Sequence, residues 1–141
     1  MSRENSRYPS TYYRVSVKAI IRNNAGEVLL TKEDNSVWSF PGGGIEHGET
    51  ALEALQRELY EEAKIDAPFK ATPIDIESIF VDHADVWVVL ILYEVAFDSS
   101  FSFAKGDDVQ EVAFKDPDTF KDSDETWERL VYKWAKKSPR N

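Results

Sequence analysis

The run Asp85 to Phe97, DVWVVLILYEVAF, is apolar almost without interruption and constrains the fold more than any other segment. A strand with one wet face alternates, whereas a strand apolar on both sides needs cover on both. The segment is therefore read as a central strand with a layer above and a layer below. Trp87 and the Val88–Leu92 run are placed in the core with it. Tyr93 and Glu94 break the run, and it is too short to be read as a bilayer span.

The flanking segments supply partners for that strand. Tyr12 to Ile21 (YYRVSVKAII) alternates and is rich in β-branched residues, which predicts a strand. Asn23-Asn24-Ala25-Gly26 is a turn signal, and Glu27 to Thr31 is read as the return arm of a hairpin. Val37 to Phe40 is a short extended piece that stops at Pro41, and Gly42, Gly43 and Gly44 follow as a glycine-rich loop. Ala51, Leu52, Leu55 and Leu59 recur at helical spacing, predicting a helix from Glu49 or Thr50 to about Ala63. Phe69 to Asp82 reads as a strand with an irregular start at Pro73, and His83-Ala84 as the turn into the apolar strand. Asp98 to Gln110 is a loop, Glu111 to Lys115 a short strand, and Asp122 to Lys137 a closing helix with Trp127, Leu130, Val131 and Trp134 on its inner side. Strands interleaved with two helices predict an α/β fold, an α/β/α sandwich around a mixed central sheet.

A chain of 141 residues suits one domain, assigned to residues 10–141 behind a polar, mobile tail at 1–9. The tail has no apolar signal core, so a soluble cytoplasmic protein is the expectation. There is no cysteine, which excludes disulfides, thiolate metal sites and a cysteine nucleophile. With 17 Lys and Arg against 26 Asp and Glu the net charge is −9, so neither a long nucleic acid nor a membrane is expected as a partner. The acidic excess has two readings: a solubilising surface, or carboxylates grouped to hold a divalent cation.

Position favours the second. Glu58, Glu61 and Glu62 stand at i, i+3 and i+4 and share one helix face near its C-terminus. Like charges at that spacing destabilise a helix, and the macrodipole there disfavours anions. A hard divalent cation would remove both penalties. An acidic helix face is by itself commonly just solvated. The glycines just before the helix change the balance, because they let main chain approach a metal–phosphate group without a Cβ in the way.

The stretch Gly43 to Ile65, GGIEHGETALEALQRELYEEAKI, resembles the Nudix box, G-x5-E-x7-R-E-U-x-E-E-x-G-U with U bulky and aliphatic. Gly43, Glu49, Arg57, Glu58, Leu59, Glu61, Glu62 and Ile65 fall in place, and Lys64 replaces the usual Gly. A Gly there would take the left-handed conformation after a helix, so Lys64 implies either strain or a helix that ends a turn later, before Pro68.

The resemblance implies Mg²⁺ or Mn²⁺ held by Glu58, Glu61 and Glu62, by the main-chain carbonyl of Gly42 or Gly43, and by an acid of the later loop, Asp108. It implies that Glu49 and Arg57 brace the loop against the helix. Glu58, Arg57 and Glu61 are the candidate catalytic residues. Glu58 is the first candidate base, and Asp107, Asp108 and Glu111 are the alternatives. Gly43, Gly44, Trp38 and His83 are the candidate substrate contacts, with Trp38 read equally as a core or lip aromatic; His47 is discounted. The implied function is hydrolysis of a diphosphate linkage in an NTP, dNTP or modified nucleotide. Alternatives are a nucleoside diphosphate-sugar or ADP-ribose substrate, or a nucleotide-binding regulatory module without turnover. The implied partner is a small nucleotide, and a homodimer is possible.

Overall fold

The computed structural model describes residues 12–33 and 36–137, so the reading of residues 1–9 as a tail lies outside the described residues. Among the described residues seven strands and two α-helices follow in order: β1 Tyr13–Ile20, β2 Val28–Lys32, β3 Trp38–Ser39, β4 Gly42–Gly44, α1 Ala51–Ala63, β5 Phe69–Val81, β6 Val86–Phe97, β7 Glu111–Lys115 and α2 Thr126–Ala135. Short 3-10 turns occupy Asp82–Ala84 and Pro117–Phe120.

The strands form a four-stranded sheet in the order β4-β1-β6-β5 and a three-stranded sheet in the order β3-β2-β7. The larger sheet is mixed: β1 runs parallel to β6 and antiparallel to β4, and β5 runs antiparallel to β6 with a register shift between Pro73 and Asp75. The apolar run Val86–Phe97 is thus the inner strand β6, between β1 and β5. Its alternate residues face two cores. Leu90 and Leu92 join Ile20 of β1, Val28 and Leu30 of β2, and Val131 and Trp134 of α2. Tyr93 and Val95 join Val17 and Ala19 of β1 and Ala54, Leu55, Leu59 and Ala63 of α1. Period-two alternation through both strands therefore places α1 on one face of the sheet and α2 on the other, which makes the sandwich.

Three expectations need correction. β1 and β2 are not arms of one hairpin. After the Arg22–Val28 bridge and the Leu29 N to Ile21 O bond (2.9 Å) they separate into different sheets, and β2 completes its pairing with β3 and β7. Burial on both faces, through Leu29 on one side and Val28 and Leu30 on the other, permits that departure. Gly42–Gly44 is a strand rather than a loop: it pairs antiparallel with β1, Gly42 opposite Lys18 and Gly44 opposite Ser16. Trp87 lies outside the core at 45% exposure. It stands beyond the part of the sheet that α1 covers, in a row with Tyr13 (6.1 Å between ring centroids) and Phe80 (5.6 Å) on the neighbouring strands.

Candidate active site

Helix α1 is fixed at its start by a capping box. Thr50 Oγ1 accepts from Glu53 N at 3.2 Å, and Glu53 Oε1 accepts from Thr50 N at 2.9 Å. With the start fixed, the register of the later carboxylates follows. Leu55 and Leu59 point into the core, while Glu58 and Glu62, three residues after each in turn, face β4.

Arg57 is the hub of this face. Its Nε donates to Glu49 Oε2 at 2.6 Å, and its Nη2 donates to Glu49 Oε1 at 3.0 Å, a two-pronged grip on one carboxylate. Nη2 also donates to the Gly44 carbonyl at 3.1 Å, while Nη1 donates to Glu58 Oε2 at 3.1 Å and Glu61 Oε1 at 3.2 Å. Only 22% of the side chain is exposed, so this is not a loose surface pair. Glu49 also accepts from Glu46 N at 2.9 Å. The Arg57 hydrogen bond, helped by that amide, holds the Glu49 carboxyl below its ordinary range, and Glu49 in turn raises the proton affinity of Arg57.

Glu62 behaves differently. It is 7% exposed, and its Oε1 accepts from Gly42 N at 2.9 Å. Burial pushes its carboxyl up to about 8, against the pull of Lys18 and of the Gly42 amide. Burial also lifts the half-buried Glu58, with Arg57 opposing. The glycines of β4 lie tight against their surroundings. Gly42 has φ +141°, and a Cβ on it would run into the Val17 carbonyl; a Cβ on Gly43 would sit 2.5 Å from Glu58 Oε2. Main chain and carboxylates thus meet at van der Waals distance.

The acidic loop before β7 is pinned to the end of α1. Ala104 N donates to Ala63 O and Gly106 N to Glu62 O, both at 2.9 Å. Lys105 Nζ donates to the carbonyls of Gly106 (3.0 Å) and Val109 (3.1 Å). Asp107 and Asp108 are exposed next to this anchor, and Glu111 pairs with Lys32 at 3.2 Å.

Trp38 begins β3 and packs partly buried against the α2-side core, with Lys32 and Lys115 ammonium groups 5.5 and 4.8 Å from its ring centroid. His83 lies in the 3-10 turn joining β5 to β6, and β1 separates β6 from β4 in the sheet. His47 is exposed in the loop before α1. Lys64 does take the left-handed conformation, at φ 55° and ψ 29°, so the helix does not run on toward Pro68. Its ammonium lies 5.4 Å from the Tyr60 ring centroid.

The three box acids are brought to one surface but not into one cage. Glu58 and Glu61 meet at Arg57, whereas Glu62 turns inward to the Gly42 amide. Among the described residues, no three His, Asp or Glu side chains are gathered around one point. The donor chemistry nevertheless suits a hard divalent cation. It offers oxygen ligands only, and a cation beside the buried Glu62 would favour the ionised form that burial opposes. Sequence reasoning missed Lys18. Its side chain, 7% exposed, donates to the carbonyls of Phe40 (3.1 Å) and Gly42 (3.4 Å). The available signal was a Lys on the same strand face as Ile20, in a segment otherwise read as core.

A family model described as the NUDIX domain matches residues 12–135. An RNA pyrophosphohydrolase of Vibrio atlanticus is 49% identical over 51 residues, 36% of this chain and 30% of that protein. The chain therefore spans about a third of the length of such curated relatives. Among solved structures, a MutT NUDIX hydrolase from Burkholderia pseudomallei superposes with a TM-score of 0.70 at 22% identity, covering 86% of this chain and 97% of that one. A bifunctional NMN adenylyltransferase/ADP ribose pyrophosphatase from Francisella tularensis, complexed with AMP and an Mn ion, gives a TM-score of 0.59 at 20% identity over 89% of this chain and 38% of that one.

Proposed function

Because the chain belongs to the NUDIX family, we propose that it is a divalent-metal-dependent hydrolase that cleaves a diphosphate linkage in an NTP, a dNTP or a modified nucleotide. The observation that carries this reading is the contact of the box acids with β4: Glu58 against Gly43, Glu62 on the Gly42 amide, and Arg57 bridging Glu49, Gly44, Glu58 and Glu61.

Glu58, Glu61, Glu62 and the Gly42 carbonyl are the residues proposed to hold Mg²⁺ or Mn²⁺, with Asp108 joining from the pinned loop. The bound ions would supply charge neutralisation on the diphosphate and acidify water. The protein's own part is geometric and protonic. Arg57 fixes Glu49 and Gly44, so the entry to α1 keeps its place. Glu58, with its proton affinity raised by burial, is the proposed base, because a carboxylate of raised proton affinity accepts a proton from water more readily. Gly43 and Gly44 are the proposed main-chain contacts of the phosphate oxygens, and Trp38 is the proposed neighbour of the nucleobase.

A second reading follows from the relatives named RNA pyrophosphohydrolase: the diphosphate cut would then belong to the triphosphate end of an RNA. The net charge of −9 weighs against a long polyanion, so a short or single-nucleotide substrate is preferred. An ADP-ribose or nucleotide-sugar substrate is the remaining enzymatic reading. A panel of NTPs, ADP-ribose and a 5′-triphosphorylated oligonucleotide with Mg²⁺ or Mn²⁺, products resolved, separates these. NMP with pyrophosphate supports the first reading. Glu61→Gln and Glu62→Gln should each lower turnover by about a hundredfold or more with the fold intact by circular dichroism. Wild-type-like turnover in both would sink the metal assignment. Among the described residues no helix is long and apolar enough to cross a membrane.

A further inference from the structure

Lys18 enters the site from the sheet rather than from the helix, on the strand whose Arg14 guanidinium stands beside Gly44. It sits opposite Gly42 in the β1–β4 ladder. Its ammonium donates to Phe40 O at 3.1 Å and Gly42 O at 3.4 Å, and lies 5.0 Å from the ring centroid of Trp127 on α2. An ammonium has three donors, and among the described residues two find acceptors. Leaving an ammonium buried is costly without negative charge nearby. Lys18 makes no direct ion pair among the described residues, and the acids that feel its charge are Glu62 and Glu58. Gly42 is therefore gripped at both ends, its amide by Glu62 and its carbonyl by Lys18.

We infer that Lys18 is a resident cation of the site, occupying the Gly42 carbonyl that a divalent ion would use and thereby weakening and setting the affinity for that ion. The inference rests on the metal reading proposed above. It makes Lys18 a positioning and affinity-setting residue, with no bond to the reacting atoms. A divalent ion approaching Glu62 and the Gly42 carbonyl must displace the ammonium or share their charge with it. Either way, each ion bound works against a fixed positive charge.

The test separates charge from bracing. Lys18→Gln keeps an N–H donor for the two carbonyls and removes the charge; Lys18→Arg keeps the charge. Mn²⁺ affinity is read by the loss of the free-ion EPR signal, with no substrate present. Lys18→Gln should bind Mn²⁺ about tenfold more tightly than wild type, the effect expected of one nearby charge in a partly screened site. Lys18→Arg should stay within about twofold of wild type. Unchanged or weaker binding in a folded Lys18→Gln overturns the inference while leaving the metal reading standing. No Mn²⁺ binding by wild type overturns both. Should Lys18→Gln fail to fold, the wild-type Lys18 ε-methylene NMR signal, assigned by its loss in Lys18→Arg, decides. It should shift on Mg²⁺ addition as the ammonium leaves Gly42, and a signal indifferent to saturating Mg²⁺ overturns the inference.

Discussion

Packing Glu62 against the Gly42 amide has a consequence that depends on pH. Its folded proton affinity, raised by burial to about 8, lies well above that of the unfolded chain, near 4.5. The sign follows from linkage. A group whose folded value is raised stabilises the fold fully below the unfolded value, and that stabilisation is lost as pH rises through the folded value. The metal-free protein, held in chelator, should therefore lose a few kcal/mol of stability, on the order expected from such a shift, between about pH 5 and pH 8. Urea midpoints across that window check it, and Glu62→Gln should flatten the slope; an equally steep slope in that variant would refute the assignment. Glu49 runs the other way. Its carboxyl is held low by Arg57, so that fork is lost only when pH falls below the ordinary carboxylate range. At this scale residue identity and spacing were legible in the sequence, and the structure brings Glu49, Glu58 and Glu61 to Arg57 and Glu62 to β4. What could not be read was partnership. Spacing along a helix says that three acids share a face, but not that two go to Arg57 and one to a main-chain amide. That division depends on β4 and on Lys18, which come from elsewhere in the chain.

The elements that hold the site show where local signals suffice. Thr50 and Glu53 start α1 through chemistry written in four consecutive residues, and the helix begins within a residue or two of its expected place. Its end is written just as locally, yet with an unfavourable residue. Lys64 N donates to Tyr60 O at 3.0 Å and Ile65 N to Leu59 O at 3.2 Å, the paired bonds of a left-handed helix stop, with a Lys carrying the positive φ. Lys64→Gly should stabilise the fold by about 1 kcal/mol, because Gly adopts that conformation without Cβ strain. A rise of a few degrees in Tm would show it, and a fall would mean that the Lys64–Tyr60 contact outweighs the strain. By contrast, the pairing of β4 was not legible. Three glycines carry no β signal of their own. They become a strand because β1 offers them an open edge, while the Val17 carbonyl, Glu58 and Arg14 stand where a Cβ on Gly42, Gly43 and Gly44 would be.

Across the whole molecule, the layers are tied by residues far apart in sequence. Arg22, just after β1, bonds Glu94 of β6 at 3.0 and 3.4 Å and the carbonyls of Ala135 (3.0 Å) and Lys137 (2.9 Å) at the end of α2. Its guanidinium caps that helix and fastens it to the central strand. Arg22→Ala should cost about 2 kcal/mol, discounted for partial exposure of the pair. Because α2 covers the face opposite α1, the loss should appear in urea stability with turnover per folded molecule kept; a selective loss of turnover would show that α2 sets the site. The sandwich itself was foreseeable from the double-faced apolarity of Val86–Phe97. The separation of β1 from β2 was not, since adjacent strands joined by a turn ordinarily pair.

That the floor beneath Glu58 and Glu62 is laddered main chain, rather than a suspended loop, divides the molecule's evolutionary freedom. Replacing side chains on the helix can retune chemistry without disturbing the platform, because Gly42–Gly44 inherit their stiffness from β1. On the proposed reading, a change of substrate would fall to residues outside that platform, such as Trp38 and the Asp107–Asp108 loop, where changes leave the ladder in place.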